Sequence, residues 1–183
     1  VYWMYDRPKQ HTIDFFNKKF KSKPVIVEAN TKVLNAGYYF AETLELIPNA
    51  LELLEQCKDA NIKVALVTAS SRRLMQAALK WFPEATFLAA VSRDDVEVTK
   101  PDPAPYLLAA KLMGVDIKNC LVFEDSITGA QSGLRSGAQV IGIPHLIVMP
   151  DDPNLRVVKS LSDIDLAKLL DWYPFLDTQV SAK

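Results

Sequence analysis

The apolar positions of this chain fall into two regimes. Through residues 1–47 they recur at helical intervals. Ile13, Phe15, Phe16 and Phe20 form one run, and Val33, Ala36, Phe40, Leu44 and Ile47 form a second, near a period of roughly 3.6 residues. The pattern predicts two helices joined around Ser22-Lys-Pro24, where the proline ends the first. Their aromatic residues read as helix-packing core.

From Pro48 onward short apolar runs alternate with helical spacing. Pro48 suits a first helical turn, Leu51, Leu54 and Cys57 mark one face, and Asn61 suits the stop. Ile62–Val67 predicts a buried strand, Thr68–Arg72 a turn rich in hydroxyls, and Leu74, Ala77, Ala78 and Trp81 a further helix. Thr86–Val91 predicts a short strand. Tyr106–Met113 predicts a helix closed by Gly114, and Leu121–Glu124 a strand. The next helix carries Gly129 and Gly133 for close approach to a sheet and ends at Gly137. Gln139–Ile143 is another strand, and Ser160–Tyr173 a last amphipathic helix capped by Ser160 or Ser162. Asp151-Asp-Pro153 is a turn whose acids are solvated. Strands alternating with helices imply an α/β domain with a doubly wound parallel sheet.

Three places on that scaffold carry chemistry. Glu124 and Asp125 follow three apolar residues at the carboxyl end of a strand, where open α/β sheets place ligands. Adjacent acids are costly to bury, and they suit a hard cation such as Mg²⁺, which takes oxygen ligands. An ordinary acidic turn with Asp125 as helix cap is the plainer alternative. Thr68, Ser70 and Ser71 put hydroxyls at a helix N-terminus, which either caps the helix or offers an anion site. Lys100 precedes three prolines, Pro101, Pro103 and Pro105, which fix a stiff path. It is either a solvated surface charge or a point charge for a phosphate. All three places flank the carboxyl end of a strand. A hydroxyl, an ammonium and a carboxylate pair on one rim are what holding a phosphoryl group and its metal requires.

Composition narrows the classes. The chain has 183 residues, 49% hydrophobic and 23% charged, with a formal net charge of −1. That suits one soluble globular domain, with or without a small appendage, and gives no sign of a nucleic-acid partner. No apolar run is long enough to span a membrane, and VYWMYDRPKQ lacks the form of a secretion signal. Cys57 and Cys120 stand far apart with no metal-binding spacing, as expected for free thiols in a reducing cytoplasm.

Ile62–Ser71 (IKVALVTASS), Lys100–Tyr106 (KPDPAPY) and Leu121–Gly142 (LVFEDSITGAQSGLRSGAQVIG) resemble motifs II, III and IV of the haloacid dehalogenase superfamily. They are closest to its branch of sugar-phosphate phosphatases, phosphoglycolate phosphatase and β-phosphoglucomutase. The resemblance implies a Rossmann-like core over 48–183, with 1–47 as the later part of a helical cap. It also implies a Mg²⁺-dependent phosphomonoesterase of a small phosphorylated metabolite, with no nucleic-acid or membrane partner. Thr68 would hydrogen-bond the transferring phosphoryl group, and Lys100 would neutralise it. Asp125 would bind the metal with Glu124 as ligand or neighbour, and Ser70 and Ser71 would contact substrate. Pro105 stands where relatives often carry an acid.

The resemblance stops at one absence. The family's nucleophile is an aspartate in a DxDxT motif closing the first strand, and residues 1–183 contain none; Asp6 and Asp14 follow no apolar strand. The core is therefore expected to lack its first strand, which relatives place between Lys63–Val67 and Leu121–Glu124. The non-Met start, Val1, fits a truncated or cleaved chain, and a separate segment or chain would supply the strand. A catalytically inactive phosphate-binding or structural relative is the alternative reading, and a phosphosugar mutase the third.

Overall fold

The structure, a computed structural model, describes residues 47–144 and 147–177. The two helices expected before residue 47 lie outside the described residues. Leu46–Ala69 and Phe82 onward belong to one compact unit, whereas Ser70–Trp81 belong to another.

In the larger unit, helix α1 spans Ala50–Asp59. Asn49 enters it at φ 70, and its Nδ2 donates to the carbonyls of Leu161 and Ile164 at 2.9 and 2.7 Å. Asn61 leaves it at φ 57, a conformation that asparagine tolerates better than most side chains. Strand β1 is Ala65–Val67 and β2 is Ala89–Val91, paired in parallel with Ala65 opposite Ala89. In the other unit, α2 spans Arg72–Leu79, and there the Ser71 side chain accepts from Leu74 N.

Helix α3, Ala104–Met113, begins with Pro105 in its first turn and closes on Gly114 at φ 65. Strand β3, Leu121–Glu124, leads into α4, Ile127–Ser136, and α4 ends on Gly137 at φ 91. Strand β4 is Gln139–Gly142, and β5 is Leu155–Val157. These form a parallel sheet in the order β3-β4-β5.

The core divides across β4. Val140 packs with Tyr106, Val122, Ala130, Ala138 and Met149 on one face, while Ile141 packs with Leu53, Ile164, Leu169 and Leu176 on the other. This is the period of two that a strand imposes. Gly133 lets α4 close on that sheet, since an added Cβ would sit 3.0 Å from Val140 Cγ2 and 3.2 Å from Val122 Cγ1.

Several expected elements are shorter or different. Ile62–Val64 is not strand; the Ile62 N–H instead donates to Cys57 O at 2.8 Å, closing the turn after α1. The strand expected from Thr86 begins at Ala89. The last helix breaks in two: a 3-10 turn, Leu161–Asp163, capped by Ser160, and then α5, Leu166–Trp172, capped by Asp165. Strand β5 has only three residues, too few for alternation to announce it.

Among the described residues β1 and β3 do not pair. Each has a strand neighbour on one edge only, so the sheet is interrupted between them. Burial follows from this. Val140 and Ile141 of β4, flanked on both sides, are fully buried, whereas Ala65, Leu66 and Val67 are half-buried and Phe123 is 37% exposed. A cavity of about 260 Å³ occupies the interruption, lined by Lys63–Val67, by Leu121–Phe123 and by apolar residues of α3 and α5. No described helix is long and apolar enough to cross a membrane, and Cys57 and Cys120 are free thiols.

Candidate active site

The Pro-rich loop is held by its own chain and by α4. Asp102 Oδ1 accepts from Ala104 N at 2.9 Å, just ahead of α3. Ser132 Oγ donates to Asp102 O at 2.5 Å, and Arg135 Nη1 to Pro101 O at 3.1 Å. The Lys100–Pro101 peptide is cis. The Lys100 side chain is buried rather than turned to solvent.

Its ammonium meets three groups. It donates to Val67 O at 3.2 Å, to Tyr106 Oη at 2.9 Å and to Glu124 Oε1 at 2.5 Å. It also stands 4.8 Å from the centre of the Tyr106 ring. The Lys100 and Glu124 side chains are 9% and 7% exposed, so the pair is buried. Lys100 is therefore no solvated surface charge. Its charge already has a carboxylate partner.

Val67 closes β1 and Glu124 closes β3, so one ammonium gathers the carboxyl ends of both strands. Thr68 lies one peptide beyond Val67, so covalent geometry holds Thr68 Oγ1 within roughly 9 Å of Lys100 Nζ. The Thr68 N–H donates to Val91 O at 2.9 Å, which fixes this backbone against β2.

The adjacent acids diverge. Glu124 points inward: Oε1 accepts from Lys100 and from Tyr106 Oη at 2.5 Å, and Oε2 from Ser126 Oγ at 3.0 Å. Ser126 Oγ in turn accepts from Gly129 N at 3.0 Å, so the same serine caps α4 and steers the carboxylate. Gly129 has no side chain because none fits; an added Cβ would land on the Glu124 carboxylate. Asp125 stays exposed on the rim. Among the described residues no three metal-ligating side chains cluster.

Burial pushes the Tyr106 hydroxyl far above its ordinary range, and the negative charge of Glu124 and its hydrogen bond push it further. Tyr106 is therefore a neutral donor to Glu124 while it accepts from Lys100. Sequence reasoning assigned roles to Lys100 and Glu124, gave Gly129 only close approach to a sheet, and gave Tyr106 and Ser126 none, although all three stand inside the quoted motifs. The position of Tyr106, directly after the last of the three prolines that follow Lys100, was the available signal. Ser71 is a helix cap and Ser70 precedes it, both in the other unit.

The chain is similar to proteins of one family. A family model of haloacid dehalogenase-like hydrolases matches residues 8–137. The Bacillus subtilis protein YhcW is 35% identical over 130 residues, covering 68% of this chain and 58% of YhcW. Hexitol phosphatase A of Escherichia coli is 31% identical over 152 residues, covering 81% of this chain and 69% of that protein. A crystal structure of a HAD hydrolase of family IA, variant 3, from Entamoeba histolytica shares the fold. It has a TM-score of 0.63 at 23% identity, covering 84% of this chain and 70% of that one. The chain thus spans little more than half the length of YhcW. It belongs to the haloacid dehalogenase-like hydrolases.

Proposed function

We propose that this chain is the larger part of a Mg²⁺-dependent phosphomonoesterase acting on a small phosphorylated metabolite, a sugar phosphate in particular. One observation carries the reading: the buried Lys100 ammonium stands where the carboxyl ends of β1 and β3 converge, beside Thr68. Phosphoryl transfer needs positioned positive charge and donors more than it needs covalent chemistry from the protein. The substrate class is supported by similarity to hexitol phosphatase A.

In this reading Thr68 donates its hydroxyl to the phosphoryl oxygens, and Lys100 neutralises them. Tyr106 and Glu124 hold Lys100 in place. Ser70 and Ser71 meet the substrate beyond the phosphoryl group. The exposed Asp125 carboxylate suits Mg²⁺, which takes one or two protein carboxylates and completes its shell with water and phosphate oxygens. Glu124, with both oxygens engaged, orders the rim without touching the ion. Bound there, the ion would offset the negative charge of the phosphoryl group.

The test is release of inorganic phosphate from a panel of sugar and hexitol phosphates by the intact protein, with Mg²⁺ and after chelation. Metal-dependent release supports the reading. Binding without release would favour a catalytically inactive phosphate-binding protein, and movement of phosphate within the sugar a mutase. The inactive reading draws on the absence of a three-ligand metal cluster among the described residues.

A further inference from the structure

We infer that the cleft at the amino ends of β4 and β5 is a binding site for a nucleoside monophosphate of the adenine class. Lys118 and Arg156 hold its phosphate, and Gln139 and Asn154 read its base. The inference does not rest on the phosphatase reading.

The cleft has a volume of about 500 Å³, and every residue lining it belongs to the larger unit. That volume suits a ligand of nucleotide size. Its place in the fold separates it from the Lys100 rim. Gln139 opens β4, whereas Gly142 closes it opposite Glu124. Three steps of strand, about 10 Å, therefore lie between the cleft and the level of that carboxylate. Lys118 stands in the turn ahead of β3, Asn154 directly precedes β5, and Tyr173 directly follows α5.

Two cations define the charge of the ligand. Lys118 and Arg156 are exposed, and among the described residues neither pairs with a carboxylate. The guanidinium carbon of Arg156 lies 4.3 Å from the centre of the Trp172 ring. Stacking of that kind holds the plane of the group without using its N–H donors. Arg156 also acts on the Tyr173 hydroxyl, which leaves most of those donors for a ligand. A guanidinium fork matches phosphate in a bidentate fashion, and an ammonium adds a point charge. A phosphate monoester is close to a dianion at neutral pH, so two cations offset it.

The amide pair defines the body of the ligand. Gln139 Nε2 donates to Asn154 Oδ1 at 3.0 Å. That bond leaves Gln139 Oε1 as an acceptor and Asn154 Nδ2 as a donor, with no further partner for either among the described residues. An acceptor beside a donor complements the amino group and ring nitrogen of adenine. Pro174 and the half-buried Phe175 add an apolar wall for a planar ring. A sugar phosphate without a base leaves both features unused.

The experiment is equilibrium dialysis of the intact protein against AMP with EDTA present, so that metal-dependent release does not consume the ligand. AMP is expected to bind, with ribose 5-phosphate and adenosine each at least about tenfold weaker. Arg156→Gln and Lys118→Gln, both at exposed positions, should each weaken AMP about tenfold or more, the usual loss for one hydrogen bond to a charged group. Thr68→Val, at the carboxyl end of β1, should leave AMP affinity unchanged. No binding of AMP overturns the inference. Equal affinity for AMP and ribose 5-phosphate means that no base is read, and overturns it. Unchanged affinity in either cation variant overturns it, and so does a loss of the same size in Thr68→Val, which would put the nucleotide on the Lys100 rim. Phosphate release is not read, so failure here and failure of the phosphatase reading are separate outcomes.

Discussion

Lys100 Nζ lies 2.5 Å from Glu124 Oε1, with both side chains less than a tenth exposed. Breaking such a pair from one side leaves an uncompensated buried charge, whereas replacing both sides with neutral groups does not. Glu124→Gln alone is expected to lower stability by about 3–5 kcal/mol. Lys100→Met combined with Glu124→Gln should lose much less than the sum of the singles. Urea unfolding of the four proteins of the cycle checks this, and additive losses would contradict it.

Gly129→Ala tests the neighbour of that pair. Alanine inside a helix normally stabilises by about 0.5–1 kcal/mol relative to glycine. Here its Cβ would land on the Glu124 carboxylate, so the expected sign is reversed. A fall in melting temperature is predicted, and a rise would show that Glu124 can leave its position without penalty.

The interrupted sheet predicts unequal core sensitivity. Ile141, fully buried with strands on both sides, should lose about 2–5 kcal/mol on change to Ala. Leu66 of β1 is only half-buried beside the cavity, so Leu66→Ala should cost clearly less in this chain. Equal losses in denaturant midpoints would mean that β1 is as enclosed as β4.

Asp125 is exposed and outside the Lys100 network. Asp125→Asn is therefore expected to leave thermal stability within about 0.5 kcal/mol of the parent. It should nonetheless abolish the response of the intact protein to Mg²⁺. Metal titration followed by phosphate release measures this. An unchanged Mg²⁺ dependence would remove Asp125 from the metal site.

These residues also show what the sequence could convey. Gly114, Gly137 and Asn61 announced their helix ends because each stop requires a backbone conformation that few residues accept. Leu121–Glu124 announced a strand by its apolar run and a site by its acids. Strand β5 was not announced, because two of its three residues are exposed and so short a segment carries no period. The break at Ile164-Asp165 was hidden as well: its apolar spacing continues that of a helix, while Asp165 caps a new one. Ile62–Val64 reads as strand by composition, yet only Ala65–Val67 meets a partner, since strand length is set by pairing and not by propensity. The inward turn of Glu124 toward Lys100 and Tyr106 depends on contacts across 18 to 24 positions of sequence, which no local pattern encodes.

The central claim is that the Lys100 ammonium serves a phosphoryl group. The most direct measurement is kcat/KM for a sugar phosphate with the intact protein and its Lys100→Met and Lys100→Arg forms, each first shown to be folded by circular dichroism. Loss of one preorganised charge contact to a transition state is worth on the order of 10²–10³ in rate. The account predicts a fall of at least about that size in the Met form, with partial recovery in the Arg form. A folded Lys100→Met protein that turns over sugar phosphate at the parent rate would contradict it.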